Sequence, residues 1–227
     1  IKNINIKIPL GGLLLITGVS GSGKSTLVKD IIKPAIQNYL NNDFKIGKTY
    51  KDIYIEDNNI KKIEFVNQNP LGKSSRSNPV TYTKIYDDIR KVFNKQELAQ
   101  IRNYKPGIFS FNIDGGRCDS CKGDGKIKIE MQFMADIYIK CEDCKGNRFK
   151  EEVLDIKFGE KNISEVLNLS IKDSIEFFKS NNQENISAKL QLLDDVGLGY
   201  LALGQSSSTL SGGESQRVKL ASFLLKS

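Results

Sequence analysis

Two Cys-x-x-Cys pairs restrict the fold of this 227-residue chain more than any other feature of its sequence. Cys118 and Cys121 form the first pair, Cys141 and Cys144 form the second, and residues 122–140 lie between them. This spacing is typical of a structural zinc site, in which four thiolates leave no coordination position open. The sequence therefore predicts that the four cysteines bind one Zn²⁺.

The residues around the cysteines support a zinc ribbon. Each pair is followed by Lys-Gly, and the alternating residues 126–133 predict a β-hairpin with the pairs at its base. We expect the zinc module to span residues 116–150. Two alternatives are a pair of disulfides, which the missing secretion signal disfavours, and a redox Cys-x-x-Cys, which normally occurs once.

Histidine is absent, so no mechanism that needs a histidine base or ligand is possible.

A second motif lies near the amino terminus. Residues 18–26 fill every position of the phosphate-loop pattern G-x-x-x-x-G-K-[ST], between a predicted strand at 13–17 and a helical pattern that Pro34 ends or kinks. Another strand is predicted over residues 4–8. Backbone N–H groups of such a loop bind phosphates, the lysine contacts the outer phosphates and the serine completes the Mg²⁺ shell. The alternative is a glycine-rich loop that opens a helix without a ligand. The predicted nucleotide-binding residues here are Gly18, Ser20, Gly21, Ser22, Gly23, Lys24, Ser25 and Thr26.

A third motif, Leu-Ser-Gly-Gly-Glu, precedes a helical pattern near residue 218. Alone it would indicate an ordinary capped helix, whose N-terminus can bind an anion. Together with the phosphate loop it resembles the signature motif of ATP-binding-cassette (ABC) proteins. The residues of this motif are Leu210, Ser211, Gly212, Gly213, Glu214 and Gln216.

These motifs, in this order, resemble the C-terminal ATPase half of the UvrA family of bacterial nucleotide-excision repair. The matching text includes ITGVSGSGKSTL at 16–27, NQNPLGKSSRSNPVTYT at 67–83, YKPGIFSFNIDGGRCDSCKGDG at 104–125, IKIEMQFMADIYIKCEDCKGNRF at 127–149 and DVGLGYLALGQSSSTLSGGESQRVKLA at 195–221. Transporter ATPases of the same class have no four-cysteine insert at this place.

The resemblance implies an α/β fold with an incomplete, ABC-type phosphate-loop core. Residues 1–70 would form the core with the phosphate loop and Gln68, the glutamine that reaches Mg²⁺ and the attacking water after a strand at 63–66. Residues 71–206 would form an inserted α/β signature domain that contains the zinc ribbon. Residues 207–227 would carry the signature motif and its helix.

The resemblance also implies a function. The whole protein would bind ATP or ADP with Mg²⁺ and Zn²⁺, hydrolyse ATP in composite sites, recognise damaged double-stranded DNA, load UvrB through regions outside this chain and form a homodimer. An acidic strand that supplies the catalytic carboxylates does not follow the signature, so we expect no catalytic residue within this chain and no activity of the chain alone. Asp194 and Asp195 resemble such a strand only superficially, because the match places them on a helix. The implied location is cytoplasmic, without a membrane span.

A basic loop is the candidate DNA contact. Lys73 and Arg76 lie among hydroxyl side chains, and the net charge of +7 suits a polyanionic partner. An ordinary solvated loop is the alternative. For the whole chain, the alternatives are a UvrA-like ABC paralogue and a zinc-stabilised DNA-binding or interaction module with a vestigial nucleotide loop.

Three apolar patterns predict elements of the inserted domain. The predicted elements are a helix with Ile85, Ile89, Val92 and Phe93 on one face, a strand with Leu154, Ile156 and Phe158, and a helix with Ile186, Leu190, Leu193 and Val196.

Overall fold

The computed structural model describes residues 4–41, 50–56, 60–67, 69, 71, 76–134 and 136–225. The chain divides into two compact units, Ile1–Phe65 and Val66–Ser227. Its class is mixed α/β with small sheets. None of the helices in the described ranges combines the length and apolar character that a membrane span requires.

The described part of the first unit contains one continuous helix in three segments. These are α1 (Lys24–Thr26), a π-helical segment (Leu27–Ile32) and α2 (Lys33–Leu40). The helix passes through Pro34 and does not end there. Proline lacks an N–H group and its ring crowds the carbonyl four residues earlier, so the wider π-turns before it accommodate the ring.

The strands predicted in the first 66 residues are wrong. Residues 4–8, 13–17 and 63–66 have no regular secondary structure, and Leu13 and Leu15 are 94% and 77% exposed. A buried parallel strand needs partner strands and covering helices, and the described part of the first unit contains no strand that could pair with them.

The second unit is mainly helical. Two 3₁₀ segments lie at Pro106–Phe109 and Ser207–Thr209. The helices are α3 (Pro79–Tyr82), α4 (Ile85–Asn94), α5 (Glu97–Ile101), α6 (Glu151–Leu154), α7 (Ile163–Asn168), α8 (Ile171–Ser180), α9 (Glu184–Asp195) and α10 (Gly212–Leu224). Among the described residues, the strands form two antiparallel hairpins, β1 (Lys126–Ile129) with β2 (Ile137–Lys140), and β3 (Lys157–Phe158) with β4 (Lys161–Asn162).

One apolar core holds the second unit together. Both predicted helical faces are confirmed: α4 buries its four predicted residues, and α9 buries Ile186, Leu190 and Leu193. Val196 follows α9 as its C-cap and is only partly buried. Aromatic rings fill the centre, where the ring centroids of Phe93 and Phe109 lie 5.6 Å apart. Asp194 and Asp195 lie on α9, as the sequence match required.

The strand predicted over residues 154–158 is mostly wrong. Leu154 ends α6, and β3 contains only Lys157 and Phe158. The turn residues Gly159 and Glu160 have φ values of 53° and 64°. Such a left-handed pair makes a tight two-residue hairpin loop, which fixes where β3 and β4 meet.

Asp88 on α4 ties that helix to α9. Its carboxylate accepts hydrogen bonds from Lys189 Nζ at 2.7 Å and Lys91 Nζ at 3.1 Å. Partial burial opposes ionisation, but the two lysines outweigh it and hold the pKa of Asp88 below its ordinary 3.8. A carboxylate with a depressed pKa stabilises the folded state above the unfolded pKa, and this stability is lost as the pH falls through the folded pKa.

We expect Asp88→Asn to lower the free energy of unfolding at pH 7 by up to about 1 kcal/mol, because it removes a half-exposed ion-pair network. The difference between wild type and variant, measured by urea unfolding in matched buffers, should shrink towards zero below pH 3.8. Asp87→Asn is the matched control, since the ion pair of Asp87 with Arg90 lies within one helix. An equal loss in both variants would contradict a link between α4 and α9.

Candidate metal centre and phosphate-binding elements

The four cysteines of the second unit form one buried cluster. Each is at most 7% exposed, and their Sγ atoms all lie within 4.8 Å of one another. The Cys118–Cys141 and Cys121–Cys144 sulfur distances are 3.9 and 3.6 Å. Ligands at about 2.3 Å from a tetrahedral zinc lie about 3.8 Å apart. The sulfur positions therefore fit a four-thiolate metal site, and they contradict the disulfide alternative because a disulfide requires about 2.05 Å.

The β1–β2 hairpin brings the two pairs together. Lys126 and Lys140 are the pair of the hairpin nearest the cysteines. Next to this pair, Cys141 N donates a hydrogen bond to Gly125 O at 3.0 Å. A further antiparallel bridge joins Arg117 to Phe149 outside the pairs. The chain on either side of the cysteines is thus held at fixed separation by backbone hydrogen bonds.

The two Cys-Lys-Gly turns have the same backbone geometry. Lys122 and Gly123 have φ values of 50° and 86°, and Lys145 and Gly146 have 49° and 80°. In this left-handed backbone conformation the chain turns around the cysteine cluster. Gly125 N donates a hydrogen bond to Cys121 Sγ at 3.2 Å. Glycine is required at position 123, because a Cβ atom there would stand 2.1 Å from the Phe111 carbonyl oxygen.

Burial and hydrogen bonding act on the thiols in opposite directions. Burial raises the pKa of Cys121 to about 12 and also raises the pKa of Cys144. At Cys118 burial is outweighed by N–H groups of Cys121 and Ser120, which lower its pKa. Zinc binds cysteine as the thiolate, so a bound cation would stabilise the negative charge that burial opposes.

Arg148 stands beside this cluster. Its backbone oxygen accepts from Cys118 N at 2.8 Å, and its guanidinium lies 5.4 Å from the Phe111 ring centroid. Burial lowers its pKa, while its Nη2 donates to Gly204 O at 3.0 Å. Sequence analysis missed this residue. A basic residue four positions after the last cysteine carries no local signal for such a contact.

The candidate DNA contacts are only partly described. Arg76 Nε lies 3.3 Å from Asp124 Oδ1 in the first Cys-x-x-Cys turn, and both side chains are 30% exposed. Lys73 and Gln68 lie outside the described residues. The structure thus places Arg76 against the cysteine module.

The phosphate loop of the first unit folds around its lysine. Lys24 Nζ donates to the carbonyl oxygens of Gly18 and Val19 at 2.7 and 2.6 Å, and to Ser22 Oγ at 3.4 Å. Gly23 precedes α1 with a φ of 88°. The loop therefore encloses the ammonium group at the start of a helix, where backbone N–H groups are unpaired.

The signature residues begin helix α10. Ser211 and Glu214 form a capping box, with Glu214 N donating to Ser211 Oγ at 3.2 Å and Ser211 N to Glu214 Oε2 at 2.6 Å. The Tyr200 hydroxyl donates to Glu214 and is the main cause of the lowered pKa of that carboxyl. Gly213 and Gln216 line one shallow depression with Arg217.

Lys219 is a second residue that sequence analysis missed. It lies on α10 and is 8% exposed, and its Nζ donates to Asn67 and Asn69. The sequence signal for it is the helical spacing of Ser215, Lys219 and Ser222, which places the lysine on one buried face of α10.

The fold and the cysteine cluster together define a mixed α/β protein with a four-thiolate hairpin module. The whole of this chain is similar in sequence to part of UvrABC system protein A from several bacteria, which confirms the resemblance to UvrA. The chain is 52% identical over 227 residues to the Clostridium tetani protein and 51% identical over 227 residues to that of Listeria monocytogenes serotype 4b. In each comparison 100% of the chain is covered, with 24% and 23% of the relative.

A solved structure agrees with this relationship. The crystal structure of UvrA2 from Deinococcus radiodurans matches with a TM-score of 0.76 and 38% identity, over 92% of this chain and 24% of that one. No family model matches the chain. The chain thus spans about a quarter of the length of its curated relatives.

We expect the reduced chain to bind one Zn²⁺, and Cys141→Ser to lose it and to unfold residues 116–150. One missing ligand removes much of the roughly 10–16 kcal/mol apparent binding free energy of a small structural site. Metal analysis and amide hydrogen exchange measure both effects, and Ser110→Ala serves as a buried serine control outside the cluster. Native protein without zinc but with protected hairpin amides would contradict the metal site.

Proposed function

We propose that this chain is a segment of the C-terminal ATPase half of a UvrA-type DNA-repair protein. Such a protein uses ATP to recognise damaged DNA and to load UvrB. The observation that supports this proposal most directly is that similarity to UvrABC system protein A extends over 100% of the chain, including all three motifs. In this proposal residues 1–70 and 207–227 belong to the ABC core, and residues 71–206 form the signature domain.

The phosphate loop is the proposed site for ATP or ADP with Mg²⁺. Lys24 has two short hydrogen bonds to carbonyl oxygens, while its third, to Ser22 Oγ, is long at 3.4 Å. That third donor is the one that can turn to an outer phosphate without loosening the loop. Ser25 would contribute a hydroxyl ligand to Mg²⁺, and Gln68 an amide oxygen.

The signature residues Ser211–Gly213 are proposed to face nucleotide held by another phosphate loop, so that two composite sites form in a homodimer of the full-length protein. By full-length protein we mean one of the relatives' length that contains this chain. None of the 227 residues is proposed as a catalytic acid or base. The carboxylates that activate water would come from other parts of the full-length protein.

The cysteine module is proposed to hold a structural Zn²⁺. Its four ligands leave no position open for water, so the metal would order the hairpin and would not take part in hydrolysis. Through Arg76 and Asp124 the same module adjoins the basic loop. We propose that Lys73 and Arg76 contact the DNA backbone without selecting a sequence.

Lys24→Ala should abolish binding of a fluorescent ATP analogue to the chain, because Lys24 is the proposed cation on the phosphates. Lys29→Ala, an exposed lysine on the same helix, is the matched control and should bind normally. Absence of binding by the wild-type chain would favour a zinc-stabilised module with a vestigial nucleotide loop, whereas unchanged binding by Lys24→Ala would place the nucleotide outside the phosphate loop. Steady ATP hydrolysis by the 227-residue chain would show that a catalytic group lies within it.

The double variant Lys73→Ala, Arg76→Ala of the full-length protein should weaken DNA binding for every sequence. Each lost phosphate contact should reduce the slope of log K against log salt by about 0.9 on duplex DNA. Lys172→Ala, Lys179→Ala removes the same charge from the exposed side of α8 and should leave the slope unchanged. Zinc content is measured in parallel, since Arg76 pairs with Asp124. An unchanged slope in the first variant would identify the loop as an ordinary solvated surface.

A further inference from the structure

Tyr200 is an exposed side chain on a well-anchored turn. Its side chain is 64% exposed, whereas Leu201 next to it is buried. The backbone on both sides of Tyr200 is fixed to the start of α8, because Gly199 O accepts from Lys172 N at 3.0 Å and Leu201 O accepts from Ile171 N at 2.8 Å. The turn is therefore held by its backbone and by its buried neighbour, and not by the tyrosine ring.

The hydroxyl group of Tyr200 contacts the start of helix α10. It donates to one carboxylate oxygen of Glu214, and the other oxygen accepts from Ser211 N at 2.6 Å. Each oxygen is thus held by one donor. The hydrogen bond from Tyr200 is the largest cause of the lowered pKa of Glu214, followed by that from Ser211 N, and Arg217 on the same helix adds to them. Glu214 is therefore an ionised carboxylate with a fixed position.

Two free backbone N–H groups lie beside this carboxylate. The first four N–H groups of a helix have no partner within the helix. In α10 the capping box satisfies those of Ser211 and Glu214, whereas those of Gly212 and Gly213 have no acceptor among the described residues. Both glycines are exposed. The start of α10 thus offers two donors to an anion, with a negative charge on the next residue.

A carboxylate at this place works against the binding of another anion. When it is free to rotate, it can itself accept from N–H groups at the helix N-terminus, and it repels a phosphate that comes near. The hydrogen bond from Tyr200 keeps the carboxylate on the side of the capping box. Stability is a weaker reason for this contact, because an exposed hydroxyl exchanges a hydrogen bond with water for one with Glu214.

We propose that Tyr200 is a positioning residue that holds the Glu214 carboxylate away from the phosphate bound at the start of α10. This inference rests on the proposed function, in which Ser211–Gly213 face nucleotide held by another phosphate loop. With Tyr200 in place, Glu214 completes the helix cap and leaves the N–H groups of Gly212 and Gly213 to the phosphate. Without the hydroxyl, the carboxylate competes with the nucleotide for these donors.

The test uses the full-length protein with Tyr200→Phe, which keeps the ring and removes the donor. We expect kcat/KM for ATP hydrolysis to fall about tenfold, the size of one lost hydrogen bond to a charged group. The affinity for ADP and the thermal midpoint should stay those of the wild type, because the variant alters neither the phosphate loop nor the turn. Tyr138→Phe is the matched control and should keep normal kinetics, since Tyr138 is a similarly exposed tyrosine of the same unit.

Glu214→Gln separates positioning from other roles of Tyr200. Glutamine keeps an oxygen that can accept from Ser211 N, so the capping box is preserved without the negative charge. In this background Tyr200→Phe should change kcat/KM by less than about twofold, because no carboxylate is left to hold away. An equal loss in both backgrounds would overturn the inference, since a structural role or a direct contact of Tyr200 with nucleotide predicts that result. Normal kcat/KM in Tyr200→Phe alone would overturn it as well.

Failure of the proposed function is distinguishable from failure of this inference. If Lys24→Ala retains nucleotide binding, or the wild type does not hydrolyse ATP, the ATPase assignment fails. If Lys24→Ala loses binding and Tyr200→Phe keeps normal kinetics, only the role of Tyr200 fails.

Discussion

The cysteine cluster is the interaction on which the β1–β2 hairpin depends. The facing isoleucines of the two strands, Ile127 with Ile139 and Ile129 with Ile137, are all between 38% and 47% exposed. The hairpin therefore gains little from apolar burial, and an isolated two-stranded hairpin is only marginally stable. What holds its base is the buried sulfur cluster with the backbone hydrogen bonds around it. A bound metal would convert these contacts into four bonds, each to a different point along residues 118–144.

Arg148 connects this module to the rest of the second unit. Its backbone belongs to the cysteine module through Cys118, and its side chain reaches the Gly204 carbonyl and the face of Phe111. Gly204 in turn donates to Leu167 O at 2.7 Å, within the apolar core. Gly204 lies seven residues before Ser211 in the sequence. The guanidinium group of Arg148 therefore connects the cysteine module to the segment that precedes α10.

Features with a local cause were predictable from the sequence. The cysteine spacing fixes the cluster, the alternation over 126–133 gives the hairpin, and Ser211 with Glu214 gives the capped helix. The strands predicted in the first unit are wrong because a strand also needs partner strands. The apolar run at 13–17 cannot reveal whether such partners are present. Arg148 and Lys219 were missed for a related reason. Their partners lie 56 and about 150 residues away, so even the helical pattern that places Lys219 on a buried face could not identify what it contacts.

Two kinds of glycine in the second unit separate what the fold requires from what a ligand would require. Gly123 is needed internally, because any Cβ there would collide with the Phe111 carbonyl. At Gly212 and Gly213, by contrast, φ is not positive, and beyond the adjacent residues and the nearby backbone of the helix itself no described atom lies within 4 Å of a Cβ position. Alanine would fit and would favour the helix by up to about 1 kcal/mol at each position. The packing of this unit therefore gives no reason for two glycines at the start of α10. The nucleotide phosphate that we propose to lie against this helix N-terminus would give one, because it would need to approach the backbone closely.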